Sequence, residues 1–194
     1  MEKVSYALGL NIGNNLLGSG IREFNIEEFV KAIKHVMTGE KPEMSYDESK
    51  KILDTFFRDL DKKYNEKSIQ EGKDFLAKNK EQDGVIELES GLQYKIITSG
   101  NGKTPSITNR VKCHYTGMLI NGYVFDSSVQ RGQPAQFNVN QVIAGWTEAL
   151  QLMKEGDKWR LFIPSNLAYG AQGAGNAIPP YATLIFDVEL IEVK

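Results

Sequence analysis

One cysteine and two histidines stand in a chain of 194 residues, and each scarcity removes a class of protein. Cys113 alone cannot close an intramolecular disulfide, so a disulfide-stapled scaffold is excluded and a reducing compartment fits. His35 and His114 are the only imidazoles, too few beside one thiol for a structural zinc site or for Cys/His catalysis. No metal and no cofactor is expected. No run nears the roughly 18 apolar residues of a membrane span, and MEKVSYALGLNIGNN at the start lacks a basic segment followed by an apolar one. Excess charge is missing too: 23 Lys and Arg against 25 Asp and Glu leave −2, no field for nucleic acid or an anionic membrane. The expected location is the cytoplasm, or the periplasm or another exported site if a leader has been removed.

Nucleotide signatures fail as well. In GNGKT (100–104) the position a phosphate loop requires as its first glycine is Ile97, and Gly170, Gly173 and Gly175 have the wrong spacing for a dinucleotide fingerprint. What is present is 41% apolar residues, enough to bury a core. They follow two periods. Residues 1–84 hold 7 Gly and 1 Pro, residues 85–194 hold 11 Gly and 5 Pro, and the grammar changes near Asp83-Gly84. In the first half Val4, Leu8, Ile12 and Leu16, then Ile26, Phe29, Val30, Ile33 and Met37, recur at helical spacing. Asn25 with Glu28 and Ser45 with Glu48 have the spacing of helix caps, so helices should begin near 26 and 46.

From Tyr46 to 83 one long helix is expected, with an apolar stripe from Leu53 to Tyr64. Residues 65–74 (NEKSIQEGKD) are polar on nearly every side except Ile69, which reads as a solvent-exposed shaft between domains; the alternative is a helix lying on the domain that follows. Helix 1 carries Leu10 and Leu17 off its main row and so has two faces to bury. Two short helices and half of a third make a poor core alone, so residues 1–64 are expected to form a twofold dimer.

Residues 85–194 alternate at period two: Val111, Cys113 and Tyr115; Trp159, Leu161 and Ile163; Leu184, Phe186, Val188 and Leu190. These are half-buried antiparallel strands, and only Ile143 to Met153 has helical spacing, which makes the fold class α+β. This half has many aromatics and no nucleophile. Asp126, between Phe125 and Ser127, reads as a partly buried carboxylate with an assigned partner.

The order and spacing of HYTGML (114–119), VFDSS (124–128), VIAGWTEAL (142–150), LAYGAQGAG (167–175) and IPPYATLIFDVELIEV (178–193) resemble the FKBP-type peptidyl-prolyl isomerases over about 92–194. SYALGLNIGNNL, a short second helix and a long polar helix leading into ESGLQYKII resemble the Mip-like, FklB-type bacterial members. The resemblance implies a V-shaped homodimer, an FKBP-like antiparallel sheet wrapped around one short helix, and rotation about X-Pro bonds of folding chains. It assigns catalysis to Tyr115, Phe125, Asp126, Ile143, Trp146, Tyr169 and Phe186, and substrate contacts to Arg131, Phe137, Val142, Ala174 and Ile178. Asp126 should pair with Arg131 and the Tyr115 hydroxyl. Partners so implied are proline-containing unfolded polypeptides, which the dimer cleft would hold, and macrolide inhibitors. Ala135, where many members carry a bulky aromatic, and GAGNA without a histidine depart from the pattern and bear on ligand selectivity. A non-enzymatic chaperone or proline-segment binding module, and a dimerising scaffold with a degenerate domain, are the rival readings.

Overall fold

Asn25 starts the second helix chemically: its side-chain oxygen accepts from Glu27 N and Glu28 N at 2.9 and 3.1 Å, and Ser45 Oγ does the same for Glu48 N at 3.2 Å. Each cap satisfies amides that have no partner within the helix. In the computed structural model, which describes residues 1–194, the helices are α1 (Glu2–Gly18), α2 (Ile26–Thr38) and α3 (Tyr46–Asn79). The third ends four residues before the expected 83. Leu76 O accepts from Lys80 N, and a turn through Asn79 and Gln82 leads into the sheet.

Two compact units divide between Lys63 and Tyr64. In the first, Met1–Lys63, neither α1 nor α2 buries a single residue, and Val4, Leu8, Leu10 and Leu17 of α1 are more than half exposed. Most apolar residues of these rows therefore stay at the surface of the single chain, although Phe29 meets Phe24 at 5.3 Å between ring centroids.

In the second unit, Tyr64–Lys194, the end of α3 groups with the sheet and lies on it in part, where an exposed shaft is the sequence-based expectation. Asn65, Ser68, Ile69, Gly72, Phe75, Leu76 and Asn79 form a partly or fully buried stripe along α3. Phe75 meets Phe162 at 6.0 Å between ring centroids, and Asn79 Nδ2 donates to Gln93 Oε1 at 2.8 Å. Apart from Ile69, Phe75 and Leu76 the stripe consists of small and amide side chains, which bury through close approach and hydrogen bonds, so hydrophobic periodicity registers only part of it.

The sheet comprises β1 (Val85–Glu87), β2 (Gln93–Thr98), β3 (Arg110–Leu119), β4 (Val124–Ser127), β5 (Ala135–Asn138), β6 (Lys158–Ile163) and β7 (Leu184–Val193). All pairs are antiparallel in the order β1-β2-β6-β7-β3-β4, with β5 also on β3. Alternation fixes the faces: Val111, Cys113 and Tyr115 of β3 and Leu184, Phe186, Val188 and Leu190 of β7 point into the core, as their period of two requires. The single regular helix of this region, α4 (Ala144–Leu150), is shorter than the spacing from Ile143 to Met153 predicts. Its last turn tightens where Leu152 N and Met153 N both donate to Ala149 O. Trp146, Ala149 and Leu150 of α4 are buried in the core.

Candidate functional site

The sheet curls over α4, and four strands, the helix and two loops deliver side chains to one cavity of about 400 Å³. Trp146, from the first turn of α4, is its floor and only 4% exposed. Tyr115 of β3, Phe137 of β5 and Phe186 of β7 stand edge-on to the indole, at 5.4, 5.5 and 5.4 Å with interplanar angles of 87°, 76° and 85°. Edge-to-face packing sets the positive rim of one ring against the negative face of the next, so the four rings brace one another. Phe125 of β4 extends the cage against Phe186 at 5.6 Å.

Gly117 makes this cage possible. It lies on β3 under two of the rings, and a methyl there would stand 2.6 Å from both Phe125 Cε2 and Phe186 Cε1. The glycine of HYTGML thus serves ring placement.

Polarity is confined to the rim. Asp126 accepts hydrogen bonds from Tyr115 Oη and from Arg131 Nη1, and Arg131 Nη2 reaches Tyr115 Oη at 3.0 Å. The guanidinium also lies over the Tyr115 ring, 5.7 Å from its centroid, a cation–π placement. Loss of water pushes the Asp126 carboxyl upward, but hydrogen bonds from Tyr115 and Arg131 and the charge of Arg131 outweigh it and hold the group below the usual aspartate range. Burial and the neighbouring carboxylate push the Tyr115 phenol up. Both groups therefore keep their neutral-pH forms, a carboxylate and a phenol. Tyr169, 40% exposed, stands at the mouth.

Of the twelve residues picked out in the sequence, nine line the cavity: Tyr115, Phe125, Asp126, Phe137, Val142, Ile143, Trp146, Tyr169 and Phe186. Three do not. Arg131 stands behind Asp126 and acts on the cavity through it, while Ala174 and Ile178 bond to each other through paired backbone N–H···O contacts of 2.9 and 3.1 Å. Ile178 is buried in the core and Ala174 packs against it, so these two shape the loop behind the wall. Gln141, outside those twelve, also lines the cavity. Its place directly before Val142-Ile143 was the available signal; its side chain is held by Asn138, whose Nδ2 donates to Gln141 Oε1 at 2.7 Å.

An antiparallel sheet closed over one short helix, with an apolar aromatic cavity and a polar rim, defines a domain built around one apolar cavity. The comparisons with known proteins name it more closely. Residues 101–191 match the FKBP-type peptidyl-prolyl cis-trans isomerase family, and residues 1–96 match the domain amino terminal to FKBP-type peptidyl-prolyl isomerase. The FKBP-type 22 kDa peptidyl-prolyl cis-trans isomerase of Escherichia coli K12 is 44% identical, over 98% of this chain and 94% of its own. The outer membrane protein MIP of Legionella longbeachae is 42% identical over 100% and 85%. Among solved structures, FkpA from Escherichia coli superposes with a TM-score of 0.80 at 33% identity, covering 99% of this chain and 95% of that one. The chain belongs to the FKBP-type peptidyl-prolyl cis-trans isomerases.

Proposed function

We propose that the cage over Trp146 receives the prolyl ring of an X-Pro segment and lowers the barrier to rotation about the preceding amide, making the protein a folding isomerase. The observation that carries this reading is an aromatic cavity of about 400 Å³ with its only fixed charge at the rim. The reaction breaks no covalent bond: the barrier of about 18–20 kcal/mol is lost amide resonance. At the twisted transition state the nitrogen is no longer conjugated and the carbonyl carries less charge than in the planar amide. An apolar cage that excludes water therefore favours the twisted form over the more dipolar ground state. The edge-on rings hold the prolyl ring still while the acyl side turns. Tyr169 Oη at the mouth can donate to a substrate carbonyl, and the Tyr115–Asp126–Arg131 set keeps the wall rigid without touching the reacting bond.

The apolar surface of residues 1–63 supports a homodimer, since α1 and α2 bury nothing within the chain. Two tethered pockets would engage one unfolded client at two points, raising the effective concentration at the second without new contacts; chaperone-like holding belongs to the same proposal. The cavity also suits macrolide inhibitors, with an apolar floor and polar rim. We propose a cytoplasmic location, with the periplasm or another exported site as the alternative; the single, buried and unpaired cysteine fits either.

A protease-coupled assay on an X-Pro tetrapeptide tests the activity. Catalysis by the wild type and its loss in folded Trp146→Ala and Tyr169→Ala variants is the expected result; a wild-type rate equal to the uncatalysed one overturns the reading.

A further inference from the structure

Within the second unit, α3 meets the start of β7 at one close point, Gly72 against Thr183. Both residues are buried. A methyl built on Gly72 would collide with Thr183 Oγ1 and lie 3.4 Å from Thr183 Cβ. The contact is part of a broader facing: Ser68 and Glu71 of α3, Leu119 to Asn121, and Pro179, Ala182 and Thr183 surround a crevice of about 120 Å³.

Thr183 follows the segment that begins at Tyr169 on the pocket wall. Tyr181, two residues before it, has φ +58° and is the only non-glycine residue of the chain in the left-handed region. That conformation is an outlier for a bulky side chain and persists only where neighbours enforce it. Its N–H donates to Gly170 O at 2.8 Å, the carbonyl next to Tyr169, and the Ala174–Ile178 bridge closes the loop between them. One strained residue thus ties the two ends of the loop together.

We infer that Gly72 is a positioning residue for the isomerase pocket: by seating α3 directly on Thr183 it holds Tyr181 in its left-handed state, and through the Tyr181–Gly170 bond it fixes Tyr169 at the cavity mouth. The activity arm of this inference rests on the isomerase reading above. Its mechanism is geometric. A helix pushed away by one methyl releases the loop at Thr183, and Tyr181 relaxes toward ordinary backbone angles, carrying Gly170 and Tyr169 with it.

Gly72→Ala tests this with a telling sign. Alanine is the better helix former, so a helix with no seat to keep would gain from it. The expected result is instead a loss of about tenfold in kcat/KM on an X-Pro tetrapeptide, together with faster hydrogen exchange at the Tyr181 amide, both measured well below the melting temperature. Thr183→Ala in the same chain removes the oxygen that the methyl strikes and restores both readouts to within about twofold of the Thr183→Ala single variant. Thr183→Ser keeps that oxygen and does not restore them. Lys73→Ala, one position on and exposed, leaves both unchanged. The inference is overturned if Gly72→Ala keeps wild-type kcat/KM and Tyr181 exchange, even with a lower melting temperature, or if its defect persists after Thr183→Ala. A wild type without isomerase activity counts against the isomerase reading, and the exchange at Tyr181 then decides the loop coupling alone.

Discussion

Tyr115 donates its phenolic hydrogen to Asp126 across the adjoining strands β3 and β4, and Arg131 bonds to both residues. The carboxyl is held below its ordinary value because two donors outweigh its partial loss of water. A lowered folded-state value means that Asp126 adds stability above the unfolded value of about 3.9 and that this contribution fades as pH falls through the lower folded value. Asp126→Asn removes the charge. Its stability deficit should be constant above about pH 4 and shrink below it, in urea titrations of both proteins at stepped pH. At neutral pH kcat/KM should fall by about tenfold or less, the scale of one charge-assisted bond at a half-exposed rim. An unchanged deficit at acid pH would mean that the Asn side chain disturbs something other than this ionised set.

Gly117 is predicted to tolerate no side chain. Gly117→Ala drives a methyl into Phe125 and Phe186, and neither ring can yield without moving the cage around Trp146. Overpacking of this kind costs about 1–3 kcal/mol, and displaced rings should lower kcat/KM by about tenfold or more. Chemical denaturation and the peptide assay on the same preparation check both figures. A stable variant with full activity would show that the rings move freely and that their edge-on geometry is incidental.

The sequence made the strands and the cage legible for different reasons. Strict alternation at Val111, Cys113 and Tyr115 and again at Leu184, Phe186 and Val188 leaves one face that can be buried, so the sheet can be read directly. The caps at Asn25 and Ser45 were readable because their chemistry is local. The nine cavity residues came together through family motifs, since their separations in sequence carry no spatial information by themselves. What stayed hidden was packing without hydrophobic contrast. Gly72, Ser68 and Asn79 look like a solvated shaft because close approach to Thr183 and an amide bond to Gln93 leave no apolar signature. Gln141 does not stand out because a lone amide before an apolar pair is ordinary on any surface.

Residues 1–63 should hold a homodimer that survives dilution to micromolar concentration. Leu8 is 60% exposed and Leu10 54% exposed, on a helix with apolar groups around most of its circumference. Sedimentation equilibrium is the measurement. Leu8→Lys with Leu16→Lys should yield monomers that keep the peptide rate, because every cavity residue lies in the second unit. Dimers persisting in the double variant would move the interface to α2 or α3; a monomeric wild type would remove the dimer altogether.

The last prediction concerns where the catalytic unit begins. Gln93 is fully buried, and its amide is satisfied from three sides: Asn79 Nδ2 donates to its oxygen, while its nitrogen donates to Leu76 O and to Glu87 Oε1 at 3.0 Å each. Two of these partners, with Phe75 against Phe162, come from α3. A fragment starting at Tyr64 keeps them all and should fold as a monomer with the full-length rate on a tetrapeptide. A fragment starting at Val85 keeps Glu87 but loses Asn79, Leu76 and Phe75. Leaving the Gln93 amide short of partners costs about 1–3 kcal/mol, and uncovering the half-buried Phe75 and Leu76 contacts costs about 1 kcal/mol each. Its melting temperature should lie at least about 10 °C below that of the Tyr64 fragment, by calorimetry or circular dichroism. If seating of α3 also sets the Tyr169 loop, the shorter fragment should be slower on peptide at temperatures where it is fully folded. Equal melting temperatures and equal rates would show that the stripe from Asn65 to Asn79 merely rests on the sheet and contributes to neither stability nor catalysis.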